Sequence, residues 1–186
     1  MYLFDFQNSK ITVRTTDRRR KYMASAAGTN KIYFAAAVSA TIQHLEAGKG
    51  GIRPEKDMWR TELYEHIKTK GEVTNPDLWD DVLKKTSEGD NKPNDVYTYS
   101  VTDGVLKSSH VVAEVSRLSH GVGMEIGMAI ASGIPVLCLY RVFNGDDFAP
   151  PDNLSRMIRG APVTVVEYGS VREAKEAIDR FFDNKK

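Results

Sequence analysis

A serine, two glycines and a glutamate lie close together in the stretch Ser119-His-Gly-Val-Gly-Met-Glu125. A hydroxyl followed by a glycine turn and a helix suits an anion such as a phosphate, because the free N–H groups and the positive end of the helix dipole face the same space. Gly121 and Gly123 would also let the backbone approach a ligand closely or adopt positive φ. Glycine-rich turns before helices also occur commonly as plain structural turns. Spacing alone therefore leaves open whether this turn binds phosphate or is only structural.

Glu125 is the carboxylate that follows this turn, and it lies among apolar residues: Val122, Met124, Ile126 and Met128. A carboxylate at the start of a helix can simply complement the helix dipole, which contributes about 0.3–1 kcal/mol. Beside a phosphate site, the same group can attack or stabilise an oxocarbenium-like sugar carbon. The local pattern therefore makes Glu125 the first candidate for a catalytic residue.

Other chemistries have weaker support in the sequence. The spacing Gly121-x-Gly-x-x-x-Gly127 departs from a dinucleotide fingerprint, because the third glycine is displaced and the turn follows the third predicted strand rather than the first. Hydride transfer is therefore disfavoured. The four histidines show no metal-ligand spacing, and neither a thiol motif nor a Ser-His-Asp arrangement is visible. We predict no metal and no cofactor.

These residues must be positioned by an alternation of strands and helices. The sequence predicts strands over 31–37, 72–74, 110–115, 135–140 and 163–166, with helices starting at Pro54 and over 77–87, 95–108, 122–132, 153–159 and 170–182. Such alternation predicts an α/β three-layer sandwich, flavodoxin-like or Rossmann-like, with a five-stranded parallel sheet. Ligands bind outside the carboxyl ends of such strands, which here follow Ala37, Thr74 and Val115.

Length and composition fit one folded domain. The chain has 186 residues, of which 41% are hydrophobic and 27% charged, and its net charge of +1 gives no sign of a nucleic-acid partner. No run of about 18 apolar residues predicts a membrane span. The single cysteine, Cys138, excludes an intramolecular disulfide and is predicted to be a reduced core thiol, which fits a cytoplasmic or nuclear protein.

Residues 1–30 differ from the rest, with six basic and two acidic side chains. We predict a flexible basic extension followed by the folded domain over 31–186. A mitochondrial transit peptide, or a nuclear signal at Arg18-Arg-Arg-Lys21, are the alternatives.

Several segments together resemble the 2'-deoxynucleoside 5'-phosphate N-hydrolase (c-Myc-responsive Rcl) family of the nucleoside 2-deoxyribosyltransferase superfamily. The resemblance covers roughly residues 31–183, weakly between 38 and 108. It rests on five stretches: Ile32-Tyr-Phe34, Val111-Val-Ala-Glu-Val115, Gly121-Val-Gly-Met-Glu-Ile-Gly127, Val136-Leu-Cys-Leu139 and Leu154-Ser-Arg-Met-Ile-Arg-Gly-Ala161.

The resemblance implies catalytic roles for three residues. Glu125 falls on the glutamate that attacks C1′ of the deoxyribose, and Tyr33 on the tyrosine that orients it. The family's general acid, an aspartate, falls on Val101 by an ungapped count. We predict that Asp103, two residues later, takes the acid role through a small register shift; its alternative is an exposed helix residue.

The resemblance also implies how the substrate is bound. Ser119 and the glycines Gly121 and Gly123 fall on the 5'-phosphate site. Ser155 falls on a serine that the neighbouring subunit contributes to the same phosphate, which implies a homodimer with shared active sites. Arg159 lies in the same matching stretch and is a candidate interface or phosphate-side cation. By position in the sequence alone, His120 beside the glycine turn and Asn75 and Asp77 after the second strand are further candidate contacts to base or phosphate.

The implied reaction is hydrolysis of a 2'-deoxynucleoside 5'-monophosphate to free base and 2-deoxyribose 5-phosphate through a covalent glutamate intermediate. Residues 31–186 would form that catalytic domain. Three alternatives stay open: a nucleoside 2-deoxyribosyltransferase, a CMP-type ribonucleotide N-glycosidase, and a non-catalytic nucleotide-binding module. The segment after Tyr33 departs from the family's short turn, with Ala36-Ala-Val-Ser39 and an insertion that contains Lys49 and Arg53. The preferred base is therefore not predicted.

Overall fold

The fold, taken from a computed structural model, is built on a single parallel sheet. The structure describes residues 29–37, 54–75, 92–141 and 154–183, with side chains in the second range from Trp59 onward. The five strands are β1 (Lys31–Ala35), β2 (Glu72–Val73), β3 (His110–Glu114), β4 (Val136–Arg141) and β5 (Thr164–Tyr168). All pair in parallel, in the order β2-β1-β3-β4-β5, which confirms the predicted sheet and identifies the flavodoxin-like order.

Helices cover both faces of this sheet. They are α1 (Pro54–Lys68), α2 (Pro93–Tyr97), α3 (His120–Ala131), α4 (Arg156–Gly160) and α5 (Val171–Asp183). A π-helical segment, Thr98–Gly104, and a 3₁₀ turn, Val105–Lys107, continue α2 without a break. The predicted helix over 95–108 is thus helical, but not a regular α-helix. The predicted helix over 77–87 and residues 1–28 of the predicted extension lie outside the described residues.

The helix α3 begins at His120, two residues earlier than predicted, because Ser119 caps it: the Ser119 hydroxyl accepts a hydrogen bond from the Val122 N–H at 3.3 Å. The expectation of positive φ at Gly121 and Gly123 was wrong, since both lie within this helix. Of the described glycines, Gly133 has positive φ, at 72°, and it follows the end of this helix, which agrees with the predicted end at residue 132 to within one residue.

The alternation of side chains along the strands separates two buried layers. One layer packs Ile32 and Phe34 of β1 against α1 and α5. The other packs Tyr33 and Ala35 of β1 beneath α3. Because successive strand residues point to opposite faces, Tyr33 is directed towards the helix that carries Glu125.

Cys138 lies in the α3-side layer as a free, buried cysteine, and burial raises the pKa of its thiol to about 12. The predicted core thiol is therefore confirmed. Asn75 is also buried; its side chain accepts from the Phe34 N–H at 3.1 Å and donates to the Phe34 carbonyl at 2.9 Å, so it extends the sheet. Among the described helices, none is long and apolar enough to cross a bilayer.

Candidate active site

The centre of the site is a hydrogen bond between a tyrosine and a glutamate that lie 92 residues apart in the chain. The Tyr33 hydroxyl donates to Oε1 of Glu125 at 2.7 Å. Tyr33 is 2% exposed and Glu125 is 9% exposed. The structure thus brings together the predicted nucleophile and the residue predicted to orient it.

Position in the helix argues against a purely dipolar role for Glu125. With Ser119 as the N-cap, Glu125 is the sixth residue of α3 and lies in its second turn. The predicted helix start at Val122 had placed it in the first turn, and that prediction was wrong. The helix-dipole contribution fades beyond the first turn. A glutamate buried there must be stabilised by something else, and the Tyr33 hydroxyl supplies that contact.

Burial sets the protonation behaviour of the pair. Removal from water raises the pKa of Glu125 to about 7, and the hydrogen bond from Tyr33 opposes the rise. The pKa of Tyr33 is raised well above its ordinary value, first by burial and then by the neighbouring Glu125 carboxylate. Tyr33 therefore remains a hydrogen-bond donor while Glu125 titrates near neutral pH.

Open space lies beside the first turn of α3. A β-carbon added to Gly123 would meet no described atom within 4 Å, and one added to Gly121 would meet only the Ser119 hydroxyl, at 3.7 Å. Packing among the described residues does not require glycine at either position. The first N–H groups of a helix lack intrahelical partners, so this turn offers donors to a ligand. His120 is exposed at its start.

The predicted acid is not joined to the pair. Asp103 is exposed and forms an ion pair with Nζ of Lys107 at 2.5 Å. Among the described residues, no hydrogen bond links it to Tyr33 or Glu125. Val101, the ungapped match, is buried at 2% exposure. Within the π-helical segment, Val101 and Gly104 face the interior and Asp103 faces outward, so the acid role of Asp103 stays a prediction.

Two of the remaining predicted contacts, Ser155 and Arg159, lie at the surface. Ser155 caps α4, its hydroxyl accepting from the Met157 N–H at 3.2 Å. Arg159 pairs with Oε1 of Glu167 at 3.0 Å and lies over the Tyr140 ring at 5.9 Å. The structure does not join either residue to the Tyr33–Glu125 pair within one chain. Asp77 lies outside the described residues.

Sequence reasoning missed a buried ion pair at the same edge of the sheet. Arg60 of α1 lies 3.3 Å from Oε2 of Glu114 and donates to the Ala37 carbonyl at 3.3 Å. Oε1 of Glu114 accepts from the Ser116 N–H at 3.0 Å. The pair thus ties the ends of β1 and β3 together where the segment leading to Ser119 starts. A glutamate inside the run Val111-Val-Ala-Glu-Val115 was the available signal, because a buried carboxylate requires a partner.

The fold is that of a nucleoside 2-deoxyribosyltransferase-like α/β protein. The chain is similar in fold to the CMP N-glycosidase BcmB of Clostridium botulinum, with a TM-score of 0.51 over 81% of this chain and 98% of that one, at 18% identity. At that identity the likeness is evidence for the fold alone.

Sequence comparison then shows the family. The chain is 32% identical to the putative 2'-deoxynucleoside 5'-phosphate N-hydrolase 1 of Nematostella vectensis over 134 residues, which cover 72% of this chain and 78% of that protein. It is 43% identical to the 5-hydroxymethyl-dUMP N-hydrolase of Rattus norvegicus over 77 residues, 39% of this chain and 43% of that one. The chain belongs to the 2'-deoxynucleoside 5'-phosphate N-hydrolase family. No protein-family model matches it. In its first matches the chain spans about half the length of its curated relatives.

Proposed function

We propose that the protein hydrolyses the N-glycosidic bond of 2'-deoxynucleoside 5'-monophosphates and releases free base and 2-deoxyribose 5-phosphate. The observation that carries this proposal is the buried Tyr33–Glu125 hydrogen bond beside the capped start of α3. Membership of the N-hydrolase family supports the same chemistry. A glutamate that titrates near neutral pH, held by a neutral donor, suits attack on an anomeric carbon.

The proposed reaction has two steps. In the first, the ionised Glu125 attacks C1′ through Oε2, because Tyr33 holds Oε1; the C1′–N bond breaks, and the base leaves with the bonding electrons and takes up a proton. In the second, water attacks C1′ of the ester and loses one proton to solvent, its oxygen becomes the sugar hydroxyl, and the C1′–O bond to Glu125 breaks to release the carboxylate. Asp103 remains the predicted acid for the base, a role that requires it to leave Lys107.

The phosphate would provide the binding energy that positions the sugar. The Ser119 hydroxyl and the N–H groups at the start of α3 form an anion-binding arrangement, and the open space beside Gly121 and Gly123 lets a phosphate approach the backbone. Interactions with this remote group would align C1′ with Glu125. The first turn of α3 would thus bind the phosphate, and Glu125 in the second turn would carry out the chemistry.

Substrate tests distinguish this proposal from its alternatives. We expect the full chain to release base and 2-deoxyribose 5-phosphate from deoxynucleoside monophosphates, with kcat/KM lower for unphosphorylated nucleosides by about 10²-fold or more. Products are quantified by chromatography with and without an added acceptor base. Base exchange without net sugar phosphate would favour a transferase, and preference for CMP a ribonucleotide N-glycosidase. Nucleotide binding without turnover would favour the non-catalytic nucleotide-binding module.

The proposal includes a homodimer in which each subunit completes the other's phosphate site. Ser155 is exposed, and Met157 beside it is 85% exposed. Near the phosphate turn, Leu118 is 72% exposed and Met124 is 55% exposed. Contiguous apolar patches rimmed by polar residues are typical of surfaces that bind another protein, and we propose that these side chains belong to the dimer interface.

Mixing two defective variants tests whether sites are shared. A heterodimer of Glu125→Gln and Ser155→Ala subunits would contain one site with both original residues, so we expect activity well above that of either variant alone when subunits are exchanged at low substrate concentration. The control mixes Glu125→Gln with wild-type protein. Activity that stays at the sum of the separate variants, or a monomer by sedimentation, would contradict the shared site.

A further inference from the structure

We propose that Gly104 is a positioning residue: its missing side chain lets the π-helical segment Thr98–Gly104 lie directly against the Tyr33 ring and so holds the phenol that orients Glu125. The inference rests on the proposed role of Glu125.

The contact between Gly104 and Tyr33 leaves no room for a side chain. A β-carbon added to Gly104 would lie 2.5 Å from Cε2 of Tyr33, 2.8 Å from Cδ2 and 3.0 Å from the Tyr99 carbonyl oxygen. Cε2 is the ring carbon next to the one that carries the hydroxyl. The backbone of Gly104 therefore supports the ring beside the group that bonds Glu125, and any side chain would push against it.

The backbone of Gly104 is itself held in place. Its carbonyl accepts a hydrogen bond from the buried Ser108 hydroxyl at 2.9 Å, and that hydroxyl lies 2.8 Å from the Thr74 hydroxyl. Thr74 follows β2, and its N–H donates to the carbonyl of Ile32, the residue before Tyr33, at 2.9 Å. This chain of hydrogen bonds fixes Gly104 relative to the strand that carries Tyr33.

The π-helical geometry determines which residues of this segment are buried. Val101 and Gly104 are buried, whereas Thr102 and Asp103 between them are exposed. Ser100, from the same segment, opposes the rise in the pKa of Tyr33. Wide turns of this kind occur frequently at functional sites. The segment thus lies directly against the Tyr33 ring at Gly104.

The predicted consequence is a change in the titration of Glu125. The Tyr33 hydrogen bond lowers the Glu125 pKa against the effect of burial, so displacing the ring removes that stabilisation of the carboxylate. An attacking carboxylate must be ionised, so the acid limb of kcat/KM would move to higher pH. A loss of stability alone would reduce the amount of active protein without moving that limb.

The experiment compares Gly104→Ala with Tyr33→Phe in the full chain, with pH profiles of base release. We expect Gly104→Ala to move the acid limb upward by about one pH unit, the value of a hydrogen bond to a charged group, and to lower kcat about 10–100-fold with a smaller change in KM. Tyr33→Phe should move the limb in the same direction. Adding Gly104→Ala to Tyr33→Phe should then produce little further shift.

Two control variants separate positioning from general damage. A β-carbon on Gly71 would lie 2.2 Å from the Asn30 carbonyl oxygen, at the start of β1, so Gly71→Ala should lower the melting temperature and leave the acid limb in place. A β-carbon on Gly127, in α3, would meet no described atom within 4 Å, so Gly127→Ala should leave both quantities near those of the wild type.

An unchanged acid limb in folded Gly104→Ala would overturn the inference, as would a full second shift in the Tyr33→Phe background. If Gly104→Ala does not fold, Ser108→Ala removes the tether without adding atoms, and an upward shift is again expected; an unmoved limb there overturns the inference too. Substantial activity in Glu125→Gln would instead overturn the proposed function. If Glu125→Gln is inactive and the acid limb of Gly104→Ala stays at the wild-type pH, the positioning role of Gly104 is overturned and the proposed function stands.

Discussion

Glu125→Gln is expected to lower kcat for base release by about 10⁴-fold or more, a loss between those of a general acid–base group and of an enzyme nucleophile. Glutamine preserves the shape of the side chain and can still accept the Tyr33 hydrogen bond through its amide oxygen. It cannot form the proposed ester. Nucleotide binding should therefore change little, which calorimetry with a deoxynucleoside monophosphate would measure alongside single-turnover kinetics.

The same substitution should stabilise the protein above neutral pH. The folded-state pKa of Glu125, about 7, lies above its ordinary value of 4.5, so the folded protein binds more protons than the unfolded chain between these values. Stability then falls as pH rises through this window, by up to about 3 kcal/mol, and levels off above the folded pKa. Glutamine removes this dependence, so the free energies of unfolding should diverge between pH 5 and pH 8.

Urea unfolding at these two pH values measures the free energy of unfolding and so distinguishes a loss of activity from a loss of folded protein. The matched control is Glu65→Gln, an exposed glutamate that pairs with Lys68 at 3.0 Å. That variant should keep wild-type activity and wild-type pH dependence of stability. Turnover by Glu125→Gln within tenfold of the wild type would rule out Glu125 as the nucleophile, and parallel stability curves would rule out its raised pKa.

Arg60→Met is expected to destabilise the protein by about 3–5 kcal/mol, because it leaves the Glu114 carboxylate buried without its cation. Both side chains of the pair are 0% exposed. The charge of Glu114 cannot reach water, and its remaining bond from the Ser116 N–H does not neutralise it. Urea unfolding at pH 7 measures the loss.

A second substitution and a surface pair provide the controls. Glu114→Gln added to Arg60→Met should recover much of the lost stability, since the double variant contains no unpaired buried charge. Lys175→Met breaks the pair with Glu62, whose Nζ–Oε2 distance is 3.0 Å, and both partners are partly exposed. Exposed pairs contribute up to about 1 kcal/mol. Equal losses for Arg60→Met and Lys175→Met would mean that burial does not govern the Arg60–Glu114 pair.

The sequence by itself determined the arrangement of elements. Short apolar runs alternating with amphipathic segments predict a parallel sheet with helices on both faces, because each element must bury its apolar side against a neighbour. A local signal was sufficient for the helix end before Gly133, since that glycine acts on backbone groups within a few residues. Ser119 was predicted as a phosphate contact, and its capping of α3 was not predicted. Side-chain alternation along β1 placed Tyr33 and Ile32 on opposite faces.

Only the tertiary structure decided which side chains meet. The Tyr33–Glu125 bond depends on the register of β1 against β3 and on the rotation of α3, and burial there raises the pKa of Glu125. The outward position of Asp103 and the contact of Gly104 with Tyr33 depend on a π-helical segment that the hydrophobic pattern did not indicate. Successive helical residues point in directions about 100° apart, so a shift of one or two residues turns a side chain from the interior to the solvent. The hydrophobic pattern of the sequence determines the periodicity of each element. Contacts between elements distant in the sequence depend on how those elements pack.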